Sequence, residues 1–260
     1  MGATDPEPVD FAFVETPAPV APAKLDPWCG EGFAALDDGT CFVAPGRLAD
    51  PPSIVFFTHG IMEPNAAPSP EISAVREAAS AHGFVAALPR GEPGLCTWSK
   101  EVATHLCWPT RRETVDAEAP KILRRFRDAE AQIAKARGVT FARRYLIGFS
   151  NGGYFAAYLG LEGLLAMDGV GVVGAGRTAI DESRLARRRP PFYVAVGEDE
   201  ADFTQRDAEH LASVLSLRQW PVEYVVHYAR GHALEADDLA LAWVTWRSIE
   251  LPRPRREGRE

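Results

Sequence analysis

The sequence lacks the features that mark a membrane-spanning or nucleic-acid-binding protein. Its 260 residues contain no run of about 18 apolar residues, the length needed to cross a bilayer. We therefore expect no transmembrane segment. The formal net charge of −8 disfavours binding to a polyanion, so we also expect no nucleic-acid partner. The start of the chain also lacks a charged region followed by an apolar one, so no signal peptide is visible.

Cysteine is scarce, and the four cysteines form no C-x-x-C motif, which disfavours a zinc site. Cys29 with Cys41, and Cys96 with Cys107, each close a short loop, which predicts two local disulfides worth about 3 kcal/mol apiece. Because disulfides persist in oxidising compartments, we expect a periplasmic, secreted or surface-tethered protein whose leader is missing. The alternative is a cytoplasmic protein with four free thiols.

Length and composition fit one compact domain between two unstructured ends. With 46% hydrophobic and 25% charged residues, a chain of this size can bury a large core. Six prolines and several acidic groups within residues 1–28 predict a disordered spacer. Residues 252–260 form a charged tail that we expect to be frayed, which leaves residues 29–251 as the folded domain.

After the spacer, short apolar segments alternate with longer stretches of helical periodicity. This alternation predicts an α/β fold with a mainly parallel central sheet and helices on both faces. Functional groups are then expected at the carboxyl ends of the strands. The predicted strands are 41–44, 54–58, 84–88, 143–147, 169–173, 192–197 and one that begins at 222; the predicted helices are 70–82, 113–137, 153–165, 205–217 and 235–249.

The most informative motif is Gly148-Phe149-Ser150-Asn151-Gly152, a G-x-S-x-G sequence between an apolar strand and a helix. In this context the motif is typical of a nucleophile elbow, a sharp turn that exposes a serine hydroxyl. The turn strains the serine backbone, so the residues beside it have to be small. Ser150 is therefore the candidate nucleophile. The alternative is an ordinary glycine-rich turn between a strand and a helix.

A second turn can supply main-chain donors for the charge that develops when a serine attacks a carbonyl group. The buried-strand pattern Ser53–Thr58 ends in His59-Gly60, and Ile61 begins the loop that follows. We expect the N–H groups of Ile61 and Asn151 to form an oxyanion hole, where each donor is worth about 10² to 10³ in rate. The alternative is that the His-Gly pair only ends the strand.

His232 is the candidate base among six histidines. It follows the strand that begins at Val222 and comes after the serine and the acid in the chain, the order that this type of site requires. The other histidines lie in a strand, near helix ends, in a cysteine-bounded loop or before the serine, so we interpret them as structural. They are His59, His82, His105, His210 and His227.

Three carboxylates compete for the role of the acid that would orient His232. Phe192–Gly197 has the pattern of a strand ending in glycine, and a cluster of acidic side chains follows it. The common spacing of glycine plus three favours Glu200, with Asp202 as second choice and Asp199 as third. A glutamate suffices because the acid holds the imidazole and stabilises its charge without taking the proton. The alternative is a solvated acidic loop.

The long loop 89–112 carries Trp98 and Trp108 around the second predicted disulfide. Loops of this length in a compact domain are usually functional or disordered. Two interpretations stay open, and one makes the two rings a wall of a substrate pocket, because aromatic rings give a large contact area at little entropic cost. The alternative is that both rings cover the core.

Taken together, these motifs make residues 40–251 resemble the α/β-hydrolase superfamily. The elbow followed by a second glycine, with a plain His-Gly loop, looks most like the polyhydroxyalkanoate depolymerase and feruloyl esterase group. The chain departs from that group at Glu200, where an aspartate is normal. The segments that carry the resemblance are Thr58-His59-Gly60, Gly148-Phe149-Ser150-Asn151-Gly152-Gly153 and Arg230-Gly231-His232.

The resemblance implies a serine hydrolase that cleaves carboxylic esters, with residues 29–251 as its catalytic domain. Ser150 would attack the carbonyl, His232 would carry the proton and Glu200 would orient His232, with no metal or organic cofactor. The implied partner is a small-molecule or polymeric ester. Two alternatives stay open: a small serine peptidase of the prolyl-oligopeptidase type, and a non-catalytic binding or surface protein of the same fold.

Overall fold

A computed structural model describes residues 13–15, 28, 30–66, 68–177 and 181–249 of the chain. Most of the predicted spacer over residues 1–28 and all of the predicted tail over residues 252–260 lie outside these ranges. Two parts of the spacer region are described: Phe13–Glu15 forms a strand, and Trp28 is buried. The disorder predicted for the rest of the segment concerns residues outside the described ranges and stays a prediction.

Strands and helices alternate along the described chain as the apolar pattern predicts. The strands are β1 (Phe13–Glu15), β2 (Ala34–Ala35), β3 (Cys41–Val43), β4 (Arg47–Ala49), β5 (Ser53–Thr58), β6 (Val85–Leu88), β7 (Arg143–Phe149), β8 (Gly169–Val173), β9 (Phe192–Gly197) and β10 (Val222–His227). The helices are α1 (Pro70–His82), α2 (Arg112–Arg137), α3 (Asn151–Glu162), α4 (Asp202–Leu217) and α5 (Ala236–Ser248), with a short 3₁₀ helix at Glu182–Arg184.

Eight of these strands form one sheet in the order β10-β9-β8-β7-β5-β6-β3-β2. In this order, every strand from β10 through β5 to β6 runs parallel to its neighbours, and β3 and β2 add an antiparallel edge. β1 and β4 form a separate antiparallel pair. The prediction of an α/β fold with a mainly parallel sheet is confirmed.

The central strands are buried on both faces because helices cover both sides of the sheet. In β5, Ile54 and Phe56 belong to one hydrophobic core, whereas the alternate residues Val55 and Phe57 belong to the other. Helices α2, α3 and α4 supply the first core, and α1 and α5 supply the second. With both faces covered, the turns at the carboxyl ends of the strands are where polar side chains can meet a substrate.

Candidate active site

Ser150 lies at the sharp turn between β7 and α3. Its backbone has φ 53° and ψ −123°, a conformation that is strained for a residue with a side chain. The Ser150 N–H donates to the carbonyl oxygen of Val173 at 2.9 Å, which ties the turn to strand β8. Glycine is required beside it, because a Cβ on Gly148 would collide with the carbonyl oxygen of Gly152. The predicted elbow geometry is therefore built by close backbone contact.

The loop after β10 brings His232 to Ser150. The Nε2 atom of His232 lies 2.8 Å from Oγ of Ser150, and its Nδ1 atom lies 2.8 Å from Oε2 of Glu200. Because an ionised carboxylate only accepts hydrogen bonds, Nδ1–H donates to Glu200 and Nε2 is left to accept the serine proton. The structure thus brings these three residues into one hydrogen-bonded chain.

Of the three candidate acids, Glu200 is the one whose carboxylate contacts His232. The Glu200 side chain is 2% exposed, whereas Asp199 and Asp202 are exposed. Asp202 begins helix α4, and the main-chain N–H of Asp199 donates to the carbonyl oxygen of Arg230 at 2.9 Å. The turn after β9 therefore directs the buried carboxylate of the cluster at the imidazole.

A buried network holds the loop that carries His232. The carboxylate of Asp238 in α5 is fully buried and accepts hydrogen bonds from Arg230 at 2.9 Å and from Tyr193 at 3.0 Å. The Nε2 atom of His227 lies 2.7 Å from the same carboxylate. Burial raises the pKa of Asp238, although the nearby Arg230 and His227 oppose this effect. The network fixes the backbone two residues before His232.

Ile61 and Asn151, whose N–H groups are the predicted oxyanion donors, line one cavity together with Ser150. Neither main-chain N–H is a donor among the turn, loop and cap hydrogen bonds of the described residues, and their role as an oxyanion hole stays a prediction. The side chain of Asn151 is held by the backbone of Trp108, which donates to Oδ1 at 2.7 Å and accepts from Nδ2 at 3.2 Å. The start of α3 is thereby fixed against the loop before α2.

His59 holds the loop that carries Ile61. Its buried ring donates from Nδ1 to the carbonyl oxygen of Gly60 at 2.5 Å and accepts from the Gly91 N–H at Nε2, at 2.9 Å. Burial lowers the pKa of His59 to about 4, against the smaller raising effect of the Gly60 hydrogen bond. A neutral imidazole, with one donor and one acceptor nitrogen, satisfies both partners. The structural role predicted for His59 is therefore specific: it joins two turns beside the candidate oxyanion hole.

A cavity of about 460 Å³ opens at Ser150. Its wall includes residues that were not predicted from the sequence: two tyrosines on α3, Phe203 and Asp207 on α4, and Arg177 after β8. Two sequence signals could have found three of them. Tyr154 and Tyr158 are four residues apart on the helix after the elbow, and Arg177 follows the carboxyl end of a parallel strand.

The two tryptophans of the long loop have different positions. Trp98 lines the cavity, as predicted, whereas Trp108 is fully buried in the core. The Trp108 ring stacks on Phe155 with ring centres 5.6 Å apart, and its Nε1–H donates to the carbonyl oxygen of His59 at 3.0 Å. For Trp108 the pocket-wall interpretation is wrong and the alternative, a ring that covers the core, is the one observed. Its ring buries a large apolar area against α3 and still satisfies its one polar group.

Cys96 and Cys107 form a disulfide that closes part of this loop, so the predicted pairing of these two cysteines is confirmed. Cys41 is also disulfide-bonded. Its predicted partner, Cys29, lies outside the described residues.

In the described ranges, no group of three or more His, Cys, Asp or Glu side chains is arranged to hold a metal ion. Nor does any helix in this part of the chain have the length and apolar character that a bilayer span needs.

No protein-family model matches the chain, and no curated protein matches it either. Several solved structures are similar. The crystal structure of esterase PE8 is 18% identical over 91% of this chain and 100% of its own, with a TM-score of 0.57. SOBER1 from Arabidopsis thaliana is 17% identical over 76% of this chain and 98% of its own, with a TM-score of 0.54. YahD, solved with malic acid, is 14% identical over 79% of this chain and 97% of its own, with a TM-score of 0.52. These likenesses establish the fold: the chain has the α/β-hydrolase architecture.

Proposed function

We propose that this chain is a serine hydrolase that cleaves carboxylic esters through an acyl-enzyme formed on Ser150. The observation that carries the proposal is the hydrogen-bonded chain from Ser150 through His232 to the buried Glu200, with both contacts at 2.8 Å. A serine hydroxyl is a poor nucleophile until a base and an orienting acid activate it in this way. The fold shared with esterase PE8 supports the proposal.

In acylation, Nε2 of His232 takes the proton as Oγ of Ser150 attacks the ester carbonyl carbon. The imidazolium that forms is stabilised by the carboxylate of Glu200, which is shielded from water. The carbonyl oxygen gains negative charge and accepts hydrogen bonds from the N–H groups of Ile61 and Asn151. His232 then returns the proton to the departing alcohol, and the acyl group stays on Ser150.

In deacylation, a water molecule takes the position of the alcohol. His232 removes a proton from this water as it attacks the acyl carbon. The bond from that carbon to Oγ of Ser150 then breaks, His232 returns the proton to Oγ, and the carboxylic acid leaves. The side chain of His232 is 47% exposed, so water reaches the base without a conformational change. The same two main-chain donors stabilise the second oxyanion.

Among ester hydrolases, we propose that this chain is an enzyme of the polyhydroxyalkanoate depolymerase or feruloyl esterase type. It rests on the Gly148–Gly153 elbow and the His-Gly loop. The aromatic rings of Trp98, Tyr154, Tyr158 and Phe203 in the cavity support a substrate with a sizeable apolar part.

We also propose that the protein works in an oxidising compartment, because the Cys96–Cys107 disulfide would be reduced in a reducing one. Titration of thiols in unreduced protein isolated from cells tests this proposal. We expect no reactive thiol before reduction, and free thiols on native protein would favour the cytoplasmic alternative.

Labelling with a fluorophosphonate probe tests the proposed nucleophile. We expect the wild type to be labelled and Ser150→Ala to stay unlabelled, and His232→Ala to react about 10³-fold more slowly because no base activates the serine. Ser183→Ala is the control, since it removes an exposed serine hydroxyl and should label like the wild type. Undiminished labelling of Ser150→Ala would overturn the assignment.

A pair of substrates separates the esterase from the peptidase alternative. We expect hydrolysis of p-nitrophenyl butyrate and no measurable cleavage of peptide p-nitroanilides. Faster cleavage of the anilides would favour a peptidase. Labelling without turnover of either substrate class would favour a non-catalytic binding protein.

A further inference from the structure

Asp207 is a half-buried residue in the wall of the cavity that Ser150 also lines. Its main chain packs against the segment after β8. The Arg177 N–H donates to the Asp207 carbonyl oxygen at 3.0 Å, and a Cβ on Gly176 would lie 2.1 Å from the same oxygen. The Asp207 side chain accepts a hydrogen bond from the Tyr154 hydroxyl at 2.8 Å. These contacts hold the carboxylate in one position in the cavity wall.

Asp207 forms no ion pair in the part of the chain that the structure describes. Other half-buried carboxylates do have a cationic partner. Glu130 pairs with Arg144, for example. Asp168 likewise pairs with Arg188 at 2.8 Å. A carboxylate that has lost part of its hydration without gaining an opposite charge is unfavourable, so a cationic ligand in the cavity would stabilise Asp207.

Arg177 is the other charged residue among the described residues that line the cavity, and its guanidinium is already engaged. The guanidinium carbon lies 3.2 Å from the centre of the Tyr158 ring, and Tyr158 also holds it by a side-chain hydrogen bond. Tyr158 follows Tyr154 by one helical turn on α3. The two charges therefore contact different rings of the wall, with Asp207 at Tyr154 and Arg177 at Tyr158.

The surroundings of the Tyr154 hydroxyl favour positive charge. Burial raises the pKa of Tyr154, and its hydrogen bond to Asp207 and the charges of Asp207 and Glu200 raise it further. Two carboxylates therefore act on this part of the cavity. The rings of Trp98 and Phe203 line the same cavity and are 41% and 59% exposed. Because the face of an aromatic ring attracts a cation, these rings add to the preference.

We propose that Asp207 recognises an ammonium group on the substrate, so that the preferred ester carries a positive charge on the part that fills the cavity. The inference rests on the proposed ester hydrolysis at Ser150. The carboxylate supplies the opposite charge, and the rings of Trp98 and Phe203 supply faces that accept a cation without a hydrogen bond. A neutral ester of the same shape gains neither attraction.

Matched p-nitrophenyl esters test the inference. The esters of trimethylammoniobutanoate and trimethylammoniopentanoate end in a quaternary nitrogen, and their neutral partners of the same length end in a tert-butyl group. We expect the wild type to show a kcat/KM about 10- to 100-fold higher for the charged member of at least one pair. In Asp207→Asn, which keeps an oxygen for the Tyr154 hydroxyl, this ratio should fall to about one or below. Asp207→Glu keeps the charge and should retain part of the preference.

Asp202→Asn is the matched control, because it removes the same charge from α4 at an exposed side chain that does not line the cavity. It should keep the wild-type ratio, which separates recognition in the cavity from attraction by the net charge of −8. A second measurement needs only the wild type. Choline should slow fluorophosphonate labelling of Ser150, and its neutral analogue, in which a tert-butyl group replaces the trimethylammonium group, should not.

Wild-type enzyme that hydrolyses both members of each pair equally, or a ratio unchanged in folded Asp207→Asn, overturns the inference. Faster hydrolysis of p-nitrophenyl hemiglutarate than of either cationic ester overturns it as well, because the cavity then selects an anion. If Asp207→Asn does not fold, equal labelling in choline and in its neutral analogue overturns the inference. In these cases the neutral esters are hydrolysed and Ser150 is labelled, so the proposed function stands. Failure of every ester together with absence of labelling would sink both proposals.

Discussion

The substitution Glu200→Gln tests whether a buried carboxylate stabilises His232 during the reaction. The Glu200 side chain is 2% exposed and its Oε2 lies 2.8 Å from Nδ1 of His232, so water screens this contact little. Two unit charges about 4 Å apart interact by about 4 kcal/mol at an effective dielectric constant of about 20. Since about 1.4 kcal/mol is tenfold, losing this charge should lower kcat/KM by about 10³-fold. The equivalent change in a Ser-His-Asp protease lowers kcat by about 10⁴-fold, so we expect a loss of about 10³ to 10⁴.

The amide of the glutamine also disturbs the hydrogen bonds of the imidazole. If its nitrogen faces Nδ1, the ring carries its proton on Nε2 and can no longer accept from Ser150. If its oxygen faces Nδ1, the NH₂ group takes the place of Oε1 of Glu200, which is buried and has no hydrogen-bond partner among the described residues. Both orientations are unfavourable, so the variant should lose activity in either case.

The assay is hydrolysis of p-nitrophenyl butyrate, with thermal unfolding to show that the variant remains folded. Asp202→Asn is the matched control, because Asp202 is exposed in the first turn of α4, and it should keep wild-type activity. The reasoning is refuted if folded Glu200→Gln keeps more than about a tenth of the wild-type kcat/KM. It is refuted equally if Asp202→Asn is the variant that loses activity by orders of magnitude.

Other buried groups give three further expectations. His59 has a pKa of about 4 in the fold against 6.5 for an exposed histidine, so the folded state favours its neutral form. Its contribution to the free energy of unfolding is therefore complete above pH 6.5 and is lost as the pH falls to 4. Urea unfolding should show this loss, up to about 3 kcal/mol, in the wild type and not in His59→Gln. If the free energies of unfolding of both proteins depend on pH in the same way, this expectation is contradicted. Asp238→Ala removes the carboxylate that Arg230 and His227 share and should lower the free energy of unfolding by about 3–5 kcal/mol, with the exposed Asp237→Ala as control; equal urea midpoints would argue against the network. Cys96→Ser opens the loop to Cys107, a separation of 11 residues, and should lower that free energy by about 3 kcal/mol, so an unchanged melting temperature would show that the disulfide adds nothing.

Elements with a strong local pattern could be predicted from the sequence. The apolar strand β7, the glycines around Ser150 and the helix α3 form one continuous signal, and α2 ends before Gly138, which has φ +63°. The strands β1, β2 and β4 were not predicted because they have two or three residues each. Such short strands have no periodicity and form only when another strand pairs with them.

The candidate site was predictable where chain order decides position. Ser150, Glu200 and His232 each follow a strand of one parallel sheet, so they meet at the same edge. Their catalytic roles stay predictions. The positions of Trp108 and Arg177 depend on how the long loop folds back onto α3 and on the path of the chain after β8. These are tertiary contacts that no local pattern encodes.

The identity of the nucleophile is tested most directly by peptide mapping of the protein after reaction with a fluorophosphonate. The proposed mechanism predicts one adduct, on the peptide that contains Ser150, and none on that peptide in His232→Ala over the same reaction time. An adduct on another residue, or an unmodified Ser150 in folded wild-type protein, would contradict the mechanism.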